Sequence, residues 1–401
     1  MAWDFSTEPE FQEKLDWIRE FVMTEIEPLD LAFNSHLVYE KTHPVHEKVI
    51  RPLQEQVKQQ GLWACHLGPD LGGLGYGQLK LGLMNEILGR SQWAPSVFGC
   101  QAPDSGNAEI LAHYGTDEQK EKWLQPLLDG KIYSAYSMTE PTGGADPTMF
   151  KTRAVRDGDH YVIDGQKVWT SRALHSDLML LLARTTPVEQ VKKKTEGLSV
   201  FLVDIGACRG KGLEIKPLAA MVNHNTTEVF FDGVRVPAGN LIGQEGKGFR
   251  YILDGINAER ILVSSEAIGD ARWFTRTAVD YSKQRIVFDR PVGQNQGIQF
   301  PIARAHAETE AADLVLRKAA ALFDAGLPCG NDSNMGKMLA ADAAWHAAEA
   351  CMQTHGGFGY AREYDVERKW RETRLFQIAP VSTNLVLAYI GEHILGMPRS
   401  Y

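Results

Sequence analysis

The chain has 401 residues, 44% of them hydrophobic, and a formal net charge of -9. This length exceeds what one hydrophobic core usually serves, so we expect two or three domains. The acidic balance and the lack of a long basic stripe argue against nucleic acid or an anionic membrane as the main partner. The one cationic run, Lys192 to Lys194, is interpreted as a solvated loop.

The five cysteines are odd in number and far apart, without a C-x-x-C pair or the histidine spacing of a zinc site. We therefore expect reduced, mostly buried thiols and no metal. The first residues lack the character of a targeting segment, and no stretch has the apolar length of a membrane span. The sequence predicts a soluble protein of a reducing compartment, the cytoplasm.

The hydrophobic period changes twice along the chain. Residues 1–130 carry apolar side chains at the three-to-four spacing of helices, with Ser6 or Thr7 as the first cap. Residues 131–243 contain short β-branched and aromatic runs separated by turns, which predict a compact β-barrel. Residues 244–401 return to long helical periodicity, typical of a four-helix bundle. The sequence thus predicts an α+β multidomain fold with helical, β and helical domains.

Within these domains, the pattern predicts individual elements. The predicted helices cover residues 11–26, 45–60, 78–88, 108–114, 117–128, 261–284, 302–325, 333–354 and 382–395, and the predicted strands cover 152–155, 161–163, 178–182, 198–203 and 229–231.

The stretch YSMTEPTGGAD, residues 136–146, predicts one edge of a pocket for a flat ring. Met138 and Thr139 are expected where a strand ends, so that backbone groups and a hydroxyl are free to meet the polar edge of the ring. Pro141 prevents the strand from continuing. Taken alone, the stretch fits an ordinary turn with Thr139 as a cap.

The stretch GQKVWTS, residues 165–171, predicts the floor of the same pocket. Trp169 has a broad aromatic face that can lie against a flat cofactor. Ser171, two residues on, is expected to point its hydroxyl to the same side of a strand. Taken alone, Trp169 also fits a half-buried core aromatic, so the prediction depends on both stretches together.

Two later stretches extend the pattern, namely QRIVFDRPVGQNQ at residues 284–296 and QTHGGFGYAREYDVERKWRETR at 353–374. With TEP and KVWTS before them, and with the helical, β, helical order, the chain resembles the acyl-CoA dehydrogenase family over nearly its whole length. The resemblance implies an orthogonal β domain between two helical domains, FAD as cofactor, and a role in fatty acid metabolism. It also implies a homotetramer in which a second protomer completes each flavin site.

The resemblance implies roles for single residues as well. An arginine suits a diphosphate because its planar fork pairs with two oxygens. Asp289 stands where the family usually has glycine, and Ala145 replaces a common serine beside the thioester channel. The implied flavin-ring contacts are Tyr136, Met138, Thr139, Trp169 and Ser171; the other implied FAD contacts are Arg285, Phe288, Gln296, Gln353, Gly357 and Thr383; and the implied substrate contacts are Ala145, Arg260 and Val381.

Dehydrogenation of a thioester needs a carboxylate that takes the α proton. Many family members supply it from an E-G-T triplet after R-[DE]-x-R, but here LFQIAPVSTN follows Arg374 and contains no acid. A gapless alignment places Pro380, which has no N–H, at the glutamate position. One inserted residue places Val381 there instead, and we prefer this register. We interpret His355 as a hydrogen-bonded histidine at a helix end rather than as the base.

Some branched-chain and long-chain family members take the glutamate from a helix early in the last domain. In this sequence that position is Glu259, within LDGINAERIL, and Arg260 follows it as in those relatives. The resemblance therefore implies that Glu259 takes the α proton, flavin N5 takes the β hydride, and an electron-transfer flavoprotein takes the electrons. Two alternatives stay open, a flavin oxidase or monooxygenase of this fold and a non-catalytic FAD-binding subunit.

Overall fold

The structure, a computed structural model, describes residues 5–222 and 225–400, with backbone alone at residues 35, 36, 70, 148 and 254. Helices, a curled sheet and long helices follow one another in the predicted order. This confirms the predicted fold class. The exact domain boundaries stay predictions.

The first region is helical. Its α-helices are α1 (Pro9–Phe21), α2 (Glu27–Ala32), α3 (Arg51–Gln59), α4 (Gly77–Leu88), α5 (Ala94–Val97), α6 (Asp104–Tyr114), α7 (Asp117–Gln119) and α8 (Gln125–Leu128). The cap predicted at Ser6 or Thr7 is wrong, because Glu8 occupies the N-cap position and no side chain caps the helix. Pro9 starts the helix instead, since its fixed φ suits the first turn.

The middle region is one seven-stranded sheet. Its strands are β1 (Ser134–Ser137), β2 (Arg153–Asp157), β3 (His160–Ser171), β4 (Leu178–Arg184), β5 (Leu198–Asp204), β6 (Leu213–Pro217) and β7 (Thr226–Pro237), and the short helix α9 (Ile205–Cys208) follows β5. The strand order is β1-β4-β2-β3-β7-β6, and β5 pairs with β4. β1 runs parallel to β4, whereas β2 and β3 form an antiparallel hairpin.

Strand β4 explains how the sheet meets the helices. Leu180 packs in the same cluster as Leu111 of α6, whereas the next residue, Leu181, packs with Phe201 in the cluster on the opposite face. Because alternate residues face opposite sides of a strand, both faces of β4 are buried and its sequence is apolar throughout. The sheet therefore packs directly against α6, the helix that borders the candidate active site described below.

The last region contains α10 (Gly248–Gln284), α11 (Gln296–Asp324), α12 (Gly330–His355), α13 (Val366–Thr373) and α14 (Thr383–Tyr389), with a small hairpin of β8 (Ile286–Val287) and β9 (Arg290–Pro291) after α10. The predicted start of α10 at residue 261 is wrong by more than three turns. Glycines at 248 and 255 weaken the helical signal there, but the helix runs unbroken for 37 residues. Likewise α11 begins before Pro301 rather than after it.

Two smaller predictions, on the cysteines and on His355, are confirmed. All five cysteines are free and buried. His355 ends α12, pairs through Nδ1 with the Cys351 carbonyl oxygen at 2.9 Å, and stacks on Tyr281. Within the described residues, no helix combines the length and the apolar character that crossing a membrane would need.

Candidate active site

The two stretches that predict a ring pocket meet at the end of β1. That strand stops at Ser137, as predicted, and Met138 and Thr139 follow it in a partly buried turn. The Thr139 carbonyl accepts a hydrogen bond from the Val168 N–H at 2.9 Å. The turn is thus joined to β3, which carries the second stretch.

A buried ion pair holds this junction. Lys167 and Glu140 lie 2.9 Å apart with side chains 0% and 4% exposed, and Lys167 Nζ also donates to the Met138 carbonyl at 2.8 Å. The N–H groups of Lys151 and Thr152 donate to Glu140 at 2.6 and 2.9 Å. Burial opposes ionisation of Glu140, but Lys167 and these donors outweigh it and lower its pKa. Burial lowers the pKa of Lys167 to about 8.

Trp169 faces outward from β3 in an unusual conformation. Its side chain is 58% exposed and its φ is +61°, at an irregularity in the pairing of β3 with β7. A large residue at positive φ is held there only when its surroundings fix it, and such positions cluster at functional sites. Thr170 is buried and bonds to Ser137, whereas Ser171 is only partly buried. Trp169 and Ser171 therefore share the more open side of the strand.

A second buried ion pair joins helix α6 to strands β1 and β3. Arg172, which directly follows β3, lies 2.8 Å from Asp104, and both side chains are buried. Asp104 also accepts from the Ser134 N–H of β1 at 2.8 Å, and Asn107 Nδ2 donates to Ser134 Oγ at 2.8 Å. The first turn of α6, the start of β1 and the end of β3 consequently form one rigid unit.

Glu259 of α10 reaches this unit. Its Oε2 accepts from Ser105 Oγ of α6 at 3.3 Å, and a β-carbon at Gly106 would lie 3.4 Å from the same oxygen. Burial raises the pKa of Glu259 to about 7, with Ser105 opposing the shift. Burial, together with the charge of Glu259, raises the pKa of Tyr136. The structure thus connects Glu259, through α6, to the strand that carries Tyr136, whose hydroxyl lies 3.2 Å from Met138 Sδ.

Sequence reasoning missed two other acids beside Glu259. Burial, together with the Glu259 charge, raises the pKa of Glu109 and of Glu266 to about 8 each. A β-carbon at Gly255 would lie 3.6 Å from Glu109 Oε2, so this carboxyl group crosses from α6 to α10 one turn before Glu259. The sequence could have indicated Glu266, because residues seven apart lie on the same face of a helix and Glu266 is seven residues after Glu259.

The predicted contacts for the other half of FAD lie at the far end of α10. Arg285 follows that helix, with its guanidinium over the Phe358 ring at 5.6 Å. Phe288 and Asp289 form the tip of the β8–β9 hairpin at φ +52° and +59°, and Phe288 is 93% exposed. Left-handed backbone explains why glycine is usual at position 289, and aspartate tolerates it. Gln296, Gln353 and Gly357 are also exposed.

One chain does not bring the two groups of predicted FAD contacts together. Glu259 and Arg285 are 26 residues apart on and just after α10. At 1.5 Å per residue, this places them roughly 39 Å apart along the helix axis. Within one chain, Arg285 therefore lies far along α10 from Glu259.

Two of the remaining four predicted contacts, Thr383 and Val381, lie at the start of α14. Thr383 Oγ1 donates to the Gln377 carbonyl at 3.4 Å, and the Val381 carbonyl accepts from Lys337 Nζ at 2.5 Å. Arg260 Nη1 donates to Asn257 Oδ1 at 3.1 Å within α10. Ala145 is exposed in the loop after β1. The roles predicted for these residues stay predictions.

Known proteins match this arrangement along the chain. Family profiles described as acyl-CoA dehydrogenase N-terminal domain, middle domain and C-terminal domain match residues 8–131, 135–234 and 246–395. Acyl-CoA dehydrogenase FadE12 of Mycobacterium tuberculosis is 34% identical over 345 residues, which cover 85% of this chain and 87% of that protein. An acyl-CoA dehydrogenase of Bacillus subtilis is 31% identical, with 94% of this chain and 96% of that protein covered.

Solved structures agree. Butyryl-CoA dehydrogenase from Megasphaera elsdenii superposes with a TM-score of 0.82 at 28% identity, covering 98% of this chain and 100% of that one. A glutaryl-coenzyme A dehydrogenase in complex with glutaryl-CoA gives a TM-score of 0.85 at 28% identity, covering 99% and 98%. Three family profiles and relatives above 30% identity over most of the chain show its membership. The chain belongs to the acyl-CoA dehydrogenase family, a family of oxidoreductases.

Proposed function

We propose that this protein oxidises the Cα–Cβ bond of an acyl-CoA thioester with FAD, and that Glu259 takes the α proton. The observation that carries the proposal is the position of the Glu259 carboxylate, partly buried and bonded to Ser105 of α6, the helix that is itself bonded to the strand carrying Tyr136. A base with a pKa near the working pH is effective because it is ionised yet still binds a proton well. Burial gives Glu259 this property.

The surroundings fit a flavin ring. The exposed indole of Trp169 offers a flat face. The Met138 turn offers the Thr139 hydroxyl, whereas its two carbonyls are already bonded to Lys167 and Val168 of β3. FAD, when bound, supplies the acceptor for the β hydride. This chain's residues would place the ring, exclude water and move the proton. The Val381 N–H would donate to the thioester oxygen, where negative charge develops as the proton leaves.

A homotetramer, or at least a dimer, follows from the same proposal. Arg285, Phe288, Gln296, Gln353 and Gly357 would hold the diphosphate and adenosine half of a cofactor whose ring lies in another protomer. The exposed apolar hairpin supports this, because Ile286 is 54% exposed and Phe288 is 93% exposed. Such a patch on a soluble protein marks an interaction surface.

Replacing Phe288 by serine is expected to weaken the assembly and lower FAD content. A buried phenylalanine contributes about 1.5–3 kcal/mol per interface, so the association constant should fall at least tenfold. Sedimentation velocity and the flavin-to-protein absorbance ratio measure both effects. Val155→Ser is the matched control, since Val155 is 56% exposed on β2, away from the hairpin. Unchanged mass and flavin content in the Phe288 variant would contradict the shared site.

The rate of flavin reduction is expected to depend on pH. Glu259 must be ionised to act as a base, and burial raises its pKa to about 7. The rate at saturating acyl-CoA should therefore fall up to tenfold per pH unit below about 7 and level off above it. Anaerobic rapid mixing across the pH range measures this profile. A profile that is flat between pH 5 and 8 would exclude Glu259 as the base.

The overall function is tested by anaerobic mixing of the holoprotein with acyl-CoAs that differ in chain length and branching. A dehydrogenase should lose its oxidised flavin absorbance with some of these thioesters and turn over with electron-transfer flavoprotein as acceptor. Rapid reoxidation by oxygen would instead favour an oxidase or monooxygenase. A flavin that no thioester reduces would favour the non-catalytic subunit.

A further inference from the structure

Lys337 of α12 is a buried cation whose role the proposed reaction leaves unexplained. The residue is 2% exposed, and its Nζ donates to the carbonyl oxygens of Phe376 at 2.6 Å and Val381 at 2.5 Å. Both acceptors are neutral backbone groups. Because burying an ammonium group costs several kcal/mol unless it is well bonded, this placement indicates a specific function for the contact.

The two carbonyls bracket residues 377–380, which lead into Val381, the residue at the family's glutamate position in the preferred register. Backbone hydrogen bonds hold its first half, since the N–H groups of Ile378 and Ala379 both donate to the Leu375 carbonyl at 2.9 Å. Pro380 has no N–H, so the second half lacks such support. Lys337 supplies it by binding both ends of the segment at one point.

The same contact anchors Val381 on the carboxyl side of its N–H. Among the described residues, that N–H makes no hydrogen bond. It belongs to the peptide that Val381 shares with Pro380, whereas Lys337 binds the carbonyl of the next peptide and Ser382 is fixed as the N-cap of α14, so the Val381 Cα between the two peptides has little freedom. An N–H without a partner, on a segment held this firmly, is suited to bind a ligand oxygen.

Charged groups around Lys337 are few. Asp342 of α12 and Arg260 of α10 act on its charge in opposite directions, and Asp342 already accepts from Gln377 Nε2 at 2.8 Å. Burial is the main reason that the pKa of Lys337 falls to about 8. At neutral pH most molecules retain the ammonium form, with a positive charge close to the Val381 peptide.

We propose that Lys337 is a positioning residue of the active site, which binds the Phe376 and Val381 carbonyls and thereby aims the Val381 N–H at the thioester oxygen of the substrate. The inference rests on the proposed function. In this inference, the Val381 N–H binds the thioester oxygen, Lys337 holds Val381 in place, and the segment contains no acid at the family's glutamate position.

The test compares Lys337→Met with Lys337→Gln, which keeps two N–H donors on a shorter side chain. Lys318→Met is the matched control, because Lys318 pairs with Asp332 and its side chain is 45% exposed. Each holoprotein is examined for flavin content, thermal midpoint, reduction rate and acyl-CoA concentration dependence. Isotope-edited infrared spectra of a bound enoyl-CoA, labelled at the thioester carbonyl, report the hydrogen bond to that oxygen directly.

We expect Lys337→Met to slow reduction by about 10- to 100-fold with a smaller change in substrate binding, since one lost oxyanion donor costs at most about 10³-fold. Its labelled carbonyl band should move towards the frequency of free enoyl-CoA, and Lys337→Gln should lie between it and wild type. If Lys337→Met does not fold, the glutamine variant gives the same readings. Wild-type bands and rates in a folded variant would overturn this inference alone, whereas a wild-type flavin that no thioester reduces overturns the proposed function with it.

Discussion

Replacing Glu259 by glutamine is expected to slow flavin reduction by acyl-CoA about 10²- to 10⁴-fold, the range that general base catalysis contributes. The amide has nearly the shape of the carboxylate but cannot take the α proton. Ser105 still finds an oxygen acceptor, so FAD content and thermal stability should stay near wild type. Anaerobic stopped-flow absorbance measures the reduction rate, and the flavin-to-protein ratio confirms that cofactor is bound.

Two neighbouring acids allow the experiment to distinguish Glu259 from other candidate bases. Glu109 of α6 and Glu266 of α10 are partly buried, and burial raises the pKa of each to about 8, so Glu109→Gln and Glu266→Gln are matched controls. Both controls should reduce at rates within about tenfold of wild type, because at neutral pH these groups are mostly protonated already. A near-normal rate in Glu259→Gln with a large loss in one of the controls would assign the base to that other acid.

Local sequence patterns predicted much of the fold and part of the candidate site. The change from helical to alternating period separates the three regions, and Pro141 correctly indicated that the first strand ends before it, at Ser137. These predictions succeed because the features depend on a few consecutive residues. The prediction of where α10 starts was wrong for the same reason. Glycines at 248 and 255 lower the helical propensity of a short window of sequence, but packing against neighbouring helices keeps this segment helical.

The pairs that fix the site were harder to predict. Asp104 and Arg172 are far apart in the sequence, and nothing local to either residue identifies its partner. The buried position of Lys167 could have been predicted. It lies an even number of residues after Tyr161 and Ile163, which are buried, and therefore on the same face of β3. An ionisable residue at a buried strand position requires a counterion, and here that counterion is the glutamate of TEP.

Lys167→Met is the second large effect that we expect. The change leaves the Glu140 carboxylate buried with two backbone donors and no cation, and breaking one partner of a buried pair costs about 3–5 kcal/mol. The Met138 carbonyl also loses its donor, so the turn beside the flavin ring should loosen and FAD content should fall. The urea midpoint followed by tryptophan fluorescence, and the flavin-to-protein ratio, measure these two effects.

Two comparisons separate the buried pair from a general effect of removing a lysine. Lys216→Met in the same sheet should change stability by less than about 1 kcal/mol, because Lys216 and Glu214 form an exposed pair with side chains 51% and 62% exposed. Glu140→Gln combined with Lys167→Met should recover much of the loss, since the amide oxygen still accepts from Lys151 or Thr152 but carries no buried charge. If Lys167→Met were no less stable than Lys216→Met, the ion pair would not be what holds the TEP turn against β3.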